Sequence, residues 1–407
     1  MKGIPGKKGL LRLTAMVSLL LLVPTAASSV PAPPGGFQTA RTPAGVSASF
    51  SPPQPAALSS YPLNGTPSDP QVLARHYKAS PRTVLPASID WSYLMPPPGH
   101  QGDLGSCVAW SAVYALRSAV QQRDYQWGVK TSRHQFSPSY VYNQITGGRD
   151  TGASIAEVLD LLKYQGVDTL NDFPYNPTDD SRQPNWAQRQ RAKLFKISDW
   201  RTIATAQNGT INIRAIKQGL RQGPVEVGTE VCEQPGWSTT GDISLAGGFK
   251  SVPQGQHAVC LVGYDDQRWT QDGPGAFKFI NSWGPAWGHQ GYGWLSYQYA
   301  RKFIYEAVTI ENNRNQSYDA AGNVKIKRLG AKGVTLKFKR LDRKGWAPAT
   351  VTTDANGQWR QAGFQVGGYY QVTPYKPGFS FSPASVKVSV DDLNRASYNF
   401  QAVKQKG

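Results

Sequence analysis

The 407-residue chain predicts an α+β domain followed by a smaller all-β domain. Three observations carry this. In the first half of the main domain, apolar residues recur at helical spacing. In its second half, short β-branched and aromatic runs alternate with Gly, Asp and Pro turns. Beyond residue 318 the pattern is apolar–polar alternation broken by turn residues. Helices first and strands afterwards segregate into two lobes, and the cleft between such lobes is a natural binding site.

Residues 1–27 have the composition of a secretory signal peptide. Lys2, Lys7, Lys8 and Arg12 precede an apolar run from Leu13 to Val23, and Thr25-Ala26-Ala27 supplies small residues for cleavage. That run is short for a membrane span. Export predicts a secreted or cell-envelope location and a compartment that permits disulfides. Residues 28–84 are rich in Pro, Ser and Ala. Such a stretch buries too little apolar surface to offset its ordering entropy, so a largely disordered leader or propeptide is expected, with one short helix from Gln71 to Lys78.

The main domain spans residues 85–312. Ala109, Ala112, Val113, Leu116 and Val120 fall on one helical face, which makes Ser106 an N-cap and Cys107 the first helical residue. Ser154 and Glu157 have capping-box spacing before a second helix carrying Ile155, Val158, Leu159 and Leu162, stopped by Gly166. A third helix is expected over Ile211–Leu220. Val225–Val227, Ala258–Tyr264, Ala276–Ile280 and Gly293–Tyr297 read as strands.

The second domain, 318–403, is expected to be a β-sandwich. Val334, Leu336 and Phe338 alternate with Thr335, Lys337 and Lys339, and Asn356-Gly357 predicts a hairpin turn. Further strands are expected at Tyr370–Thr373, Phe379–Phe381, Val386–Val390 and Tyr398–Val403. Trp346, Trp359, Tyr369 and Tyr375 have two readings, core packing or a sugar-stacking face, of which packing is the ordinary one.

The net charge is +18, from 44 Lys and Arg against 26 Asp and Glu. From residue 316 onward there are 15 Lys and Arg, five Asp and no Glu. This favours anionic partners, among them a cell-envelope polymer bound through the basic C-terminal domain, beside the ordinary reading of a generally basic secreted protein. No zinc-finger spacing, helix-turn-helix signature or aromatic-basic RNA motif occurs, so no specific nucleic-acid partner is expected. With no CxxC or HxxxH spacing, neither metal nor cofactor is expected. The three cysteines are too few for a disulfide scaffold. Cys232 and Cys260 either pair or lie as free thiols in neighbouring strands. The chain is expected to be a monomer.

A thiol at a helix start faces unsatisfied N–H groups and the positive end of the helix dipole, which favour thiolate. Cys107 is therefore a candidate nucleophile, and it needs a base. Of the five histidines, His257 opens a probable core strand and is rigidly mounted. Asn281-Ser282-Trp283-Gly284 follows another strand, where the amide could orient an imidazole and Trp283 could shield their bond. Gln101, six residues before the cysteine, could donate to a developing oxyanion together with the Cys107 N–H.

At these residues the chain resembles the papain family of cysteine peptidases. The matching pieces are Gln101–Ser111, His257–Tyr264, Asn281–Gly284, Trp287-Gly288 and Gly291-Tyr292-Gly293. Ile89-Asp90-Trp91 resembles the start of such mature enzymes, and Phe173-Pro174-Tyr175 a segment after their second helix. The resemblance implies a two-lobed papain-like fold, helical on one side and β on the other. It implies Cys107 as nucleophile, His257 as base, Asn281 as orienting amide and Gln101 in the oxyanion hole. It also implies Gly152 and Ala153 as contacts to the substrate backbone, and a protein or peptide as substrate; Gln256, just before the histidine, and Trp283 are further candidate substrate contacts. Ala153 stands where the family has a second glycine, Leu104 replaces a frequent disulfide cysteine, and Val108 and Trp110 replace a tryptophan and a phenylalanine. The tail resembles Ig-like, carboxypeptidase regulatory-like repeats of secreted bacterial proteins. The function expected is a secreted cysteine endopeptidase working through a Cys107 thioester. Its rivals are a binding protein with a silent papain-like domain and a transpeptidase using the same thiol. Autoinhibition by residues 28–84 is a further expectation.

Overall fold

The computed structural model describes residues 61–80, 83–246, 253–312, 317–342, 347–365, 368–389 and 397–405. The expected signal sequence, the expected leader before Tyr61 and Trp346 lie outside the described residues.

The Cys107 helix is built in three parts. An α-helical turn, Cys107–Ala109, widens into a π-helical segment, Trp110–Arg117, and returns to α-helix over Ser118–Tyr125. Its expected face is buried, as are all residues from Cys107 to Gln121, so the helix runs through the interior. π-Helical turns gather at functional sites, and this one follows the thiol directly. Ser106 does stand at the N-cap, but its hydroxyl makes no capping bond and pairs with the Tyr175 hydroxyl at 2.7 Å.

The helix Ile155–Tyr164 begins at the expected capping box, with Ser154 and Glu157 bonded reciprocally. The third expected helix starts at Ile213, because the Asn212 side chain accepts from Ala215 N–H and caps it there. Three described α-helices were not expected from periodicity: Pro138–Thr146, Trp186–Ala192 and Tyr297–Phe303, the last capped by Ser296. Pro138–Thr146 is capped by Ser137 and ends at Gly147 in the left-handed region, and Trp186–Ala192 starts with an Asn185–Gln188 capping box.

The other lobe is an eight-stranded sheet. Its path runs Ile197–Thr205, Ile304–Asn312, Val225–Cys232, Pro253–Thr270, Gly273–Ile280, Tyr292–Ser296 and Asp242–Ile243, and Ser88–Asp90 pairs with Pro253–Thr270. Apolar side chains form two clusters, one that runs from the helices into the C-terminal strands and another within this lobe. The fold is α+β and papain-like, as expected. Cys232 lies opposite Pro253 and Cys260 opposite Glu226 in the same strand pair. That separates them by roughly 20 Å along the strands, beyond disulfide reach, and all three thiols are free.

The described part of the leader is ordered, contrary to the disorder its composition predicts. Gly65–Thr66 pairs in parallel with Ala153–Ser154. The helix Pro70–Arg75 is capped by Asp69 and buries Leu73. Short polar side chains do the ordering by bonding to backbone: Ser68 Oγ accepts from Ala156 N–H at 3.1 Å. Leu73 joins one apolar cluster of the chain, and Tyr61 and Leu63 pack against the other.

The C-terminal region is all β. One sheet contains Thr335–Arg340, Tyr369–Tyr375, Val386–Ser389 and Val351–Thr352. The other contains Ser317–Ile326, Leu329–Gly330, Gln358–Gln365, Phe379–Ser382 and Phe400–Lys404. Val334, Leu336, Val372, Phe364 and Phe400 are buried within it, while Lys337 and Lys339 point outward. Trp359 is buried, whereas Tyr369 and Tyr375 are exposed on a different sheet, so these three aromatics form no common face. Asn356-Gly357 does form a turn, with Gly357 at φ +73° and Asp354 Oδ1 accepting from Asn356 and Gln358 N–H. It is not a hairpin, because the strands on either side belong to different sheets.

Candidate active site

Cys107 lies at the floor of the cleft, fully buried. Its sulfur is approached by the backbone N–H groups of Ala258, Val108 and Asn64. Val108 belongs to the helix start that the sequence reading invoked, and Ala258 follows His257 on the facing strand. Desolvation outweighs these donors and lifts the thiol to about 11. The helix start therefore does not by itself make a thiolate here, contrary to the expectation from sequence.

His257 and Asn281 meet as expected. His257 Nε2 lies 2.9 Å from Asn281 Oδ1, which also accepts from Ser282 N–H at 2.8 Å. An oxygen already accepting one N–H takes the imidazole as a second donor, which leaves Nδ1 as the basic nitrogen. Nδ1 is buried and has no hydrogen-bond partner. Burial lowers His257 to about 4, with the Asn281 bond pulling the other way. Trp283 stacks on the imidazole, centroids 4.7 Å apart, and Trp237 meets it edge-on at 5.9 Å. The aromatic cover expected of Trp283 is thus in place.

Gln101 is held from several sides. Its Oε1 accepts from Ser282 Oγ at 2.7 Å, and its backbone N–H donates to Ser282 O. Its backbone carbonyl accepts from Tyr175 O–H at 2.6 Å. The side-chain Nε2 donates to Leu104 O at 3.0 Å and to Pro62 O at 3.1 Å. Pro62 belongs to the leader, so this donor is occupied from within the chain.

The leader accounts for the remaining predicted residues as well. Tyr61 stacks on Trp283 with centroids 4.3 Å apart and planes 11° from parallel. Asn64 bridges in parallel to Gln256. Gly65 pairs with Ala153. Gly152 sits at φ +80°, and a Cβ there would come within 2.1 Å of Asn64 O, so only glycine admits this approach. Leu63, Asn64, Gly65, Thr66, Thr151, Glu230 and Pro253–Gln256 line an open groove of about 510 Å³.

Sequence reasoning missed three supports. Tyr142 donates to Asp150 and accepts from Gly152 N–H, while Asp150 accepts from Gly105 N–H at 2.8 Å. These ties brace the cysteine loop against the Gly152 turn. Tyr175 fastens Gln101 and Ser106. Glu226 and Glu306 lie buried on adjacent strands behind the thiol. Asp150 beside a glycine turn was visible as a loop acid; the glutamates, inside strand patterns, gave no signal.

A two-lobed protein with a buried thiol, an imidazole and an orienting amide in its cleft is the class that this fold and site define. The chain belongs to the family described as papain family cysteine protease, whose pattern matches residues 85–315. It is similar to oryzain beta chain of Oryza sativa subsp. japonica, 28% identical over 214 residues, covering 51% of this chain and 41% of that one. It is also similar to cathepsin K of Mus musculus, 28% identical over 230 residues, covering 52% and 60%. The chain spans about half the length of these curated relatives. Among solved structures, xylellain, a cysteine protease from Xylella fastidiosa, is similar with a TM-score of 0.50 and 25% identity, over 63% of this chain and 97% of that one. No described helix is long and apolar enough to cross a membrane.

Proposed function

We propose that the chain is a secreted cysteine endopeptidase held latent by its own leader. The reading is carried by one observation. The segment from Tyr61 to Gly65 touches Trp283, Gln101, Cys107, Gln256 and Ala153, all candidate site residues from the sequence. A peptide segment seated on these groups marks the track a substrate peptide would follow.

With the leader displaced, water reaches the cleft and the burial that suppresses both charges is relieved. His257 Nδ1 then takes the Cys107 proton, and Asn281 holds the ring while accepting from Nε2–H. The thiolate attacks a peptide carbonyl. Gln101 Nε2 and the Cys107 N–H donate to the oxyanion. His257 protonates the leaving amine, and water, activated by the same imidazole, hydrolyses the thioester. The basic C-terminal sheets fit an anionic cell-envelope polymer, which would hold the enzyme near its substrates.

The test is peptide hydrolysis by the chain after cleavage between residues 80 and 85. Cys107→Ala and His257→Ala should each abolish turnover. Product analysis with an added amine separates hydrolysis from transpeptidation. If Cys107→Ala cleaves peptides as fast as the parent, Cys107 is not the nucleophile.

A further inference from the structure

One end of the Asn281 amide has no part in the chemistry just described. Its Oδ1 accepts from His257 Nε2–H and from Ser282 N–H. Its Nδ2 is buried and has no hydrogen-bond partner. Ser111, one turn beyond Cys107 in the π-helical segment, is 5% exposed, and its Oγ is likewise without a partner. A serine inside a helix ordinarily points to solvent or bonds to the carbonyl four residues back. Ser111 does neither. Buried donors and acceptors are seldom left unpaired, so two of them close together need a common partner.

Both residues line one small cavity. Its volume is about 10 Å³, and Ala115, Ala258, Ile280 and Ser282 also form its wall. That is the space of a single water molecule. The Cys107 helix closes one side and the sheet the other. The register of the sheet fixes what lies behind Ser111. Ile280 is opposite Cys260, and Cys260 is opposite Glu226, so one row crosses three strands. The π-helical segment packs on two of these strands, Val225–Cys232 and Pro253–Thr270. Glu226 ends the row, fully buried, with its carboxyl beside the Ser111 side chain.

The atom types set the direction of each hydrogen bond. Nδ2 can only donate, so its partner must accept. A carboxyl group offers an accepting oxygen whether or not it is protonated, so the Ser111 hydroxyl turns its proton toward Glu226 and keeps its lone pairs free. A water between them accepts from Asn281 Nδ2–H and donates to Ser111 Oγ. An amide turned end for end would set Nδ2 against His257 Nε2–H, donor against donor. An acceptor in the cavity therefore holds the amide in the sense that the imidazole needs.

We propose that the cavity binds one water molecule, and that Ser111, backed by Glu226, positions Asn281 through it. The role in catalysis rests on the peptidase reading above. Ser111 acts through Asn281 and not on the substrate, which makes it a positioning residue. Glu226, idle in the hydrolysis scheme, is the acceptor that orients the Ser111 hydroxyl.

Two measurements test this. The first is a crystal structure of the full chain at a resolution that shows ordered water. One water within hydrogen-bond distance of both Asn281 Nδ2 and Ser111 Oγ is expected; a dry cavity overturns the inference. The second is peptide hydrolysis by chain folded intact and then cut between residues 80 and 85 by an unrelated protease at an inserted site. Ser111→Ala should lower kcat about 3- to 10-fold, the range of one hydrogen bond, and leave KM within about twofold. In the Asn281→Ala background, where the water has no amide to hold, the same substitution should change kcat by less than about 1.5-fold. Equal losses in the two backgrounds, or a rise in KM alone, overturn the positioning role and leave the peptidase standing. Absence of both cleavage and Cys107 labelling by a thiol-reactive epoxide overturns the peptidase reading and the positioning role with it. If Ser111→Ala does not fold, the crystal structure decides alone.

Discussion

Cys107 and His257 are uncharged in the closed chain for the same reason: both are wholly buried and neither touches the other's proton. A thiol near 11 is thiolate at pH 7 in only about one molecule in 10⁴. Alkylation of Cys107 in the intact chain should therefore keep rising well above pH 9, whereas an active pair would react at neutral pH. The imidazole acts on stability in the opposite range. Its folded value, about 4, lies below its ordinary 6.5, so the unfolded chain binds the proton first as pH falls. The closed form should lose stability between about pH 6.5 and pH 4, which urea unfolding at stepped pH would show; His257→Gln should flatten that slope. Asn281 only orients the ring in the proposed scheme. Asn281→Ala should slow the opened enzyme by about 10- to 100-fold without abolishing turnover, and a loss equal to that of His257→Ala would contradict an orienting role. Cys107, His257, Asn281 and Gln101 were legible because each stands in a local signal: a helix start, a strand start, a strand end, a loop before the helix. The buried Glu226 and Glu306 were not, since their closeness depends on the register between two strands far apart in sequence.

Elements were legible where the stop and start signals were local. The Ser154–Glu157 box is one, and Ser154→Ala should cost about 1 kcal/mol of stability in thermal or urea unfolding. The π-helical segment after Cys107 was not legible, because its residues fit an α-helical face equally well; burial on all sides, not periodicity, distinguishes it. The turn at Asn356-Gly357 shows the same limit: turn chemistry is local, but which sheet the next strand joins is not. The leader is the largest departure. Its composition predicts disorder, yet Tyr61, Ser68, Asp69 and Leu73 find partners on a surface the rest of the chain provides. Tyr61 stacks on Trp283 beside the imidazole. Tyr61→Ala should loosen the segment and raise the basal activity of the intact chain, without changing the activity of the cut chain; equal rises in both would show that Tyr61 acts elsewhere.

At the scale of the whole molecule, the two domains are not beads on a string. The Tyr318 hydroxyl, at the start of the C-terminal sheets, donates to Leu194 O in the main domain. The charge is uneven as well, with Lys337 and Lys339 directed outward from a region that holds no Glu. Retention of the full chain on a polyphosphate resin should fall steeply as ionic strength rises from about 0.05 to about 0.5 M, and Lys337→Gln with Lys339→Gln should weaken it further. The domain order and the α+β class were legible in the pattern of helices followed by strands. How leader, cleft and tail engage was not, because those contacts join residues far apart in sequence. The central claim is that the chain carries a competent thiol covered by its own leader. Labelling of Cys107 with a thiol-reactive epoxide, followed at pH 7 in intact chain and in chain cut between residues 80 and 85, tests it most directly. The account predicts one equivalent on Cys107 in the cut chain, formed about tenfold or more faster than in the intact chain. Equal rates in the two forms, or no labelling of Cys107 after the leader is released, would contradict it.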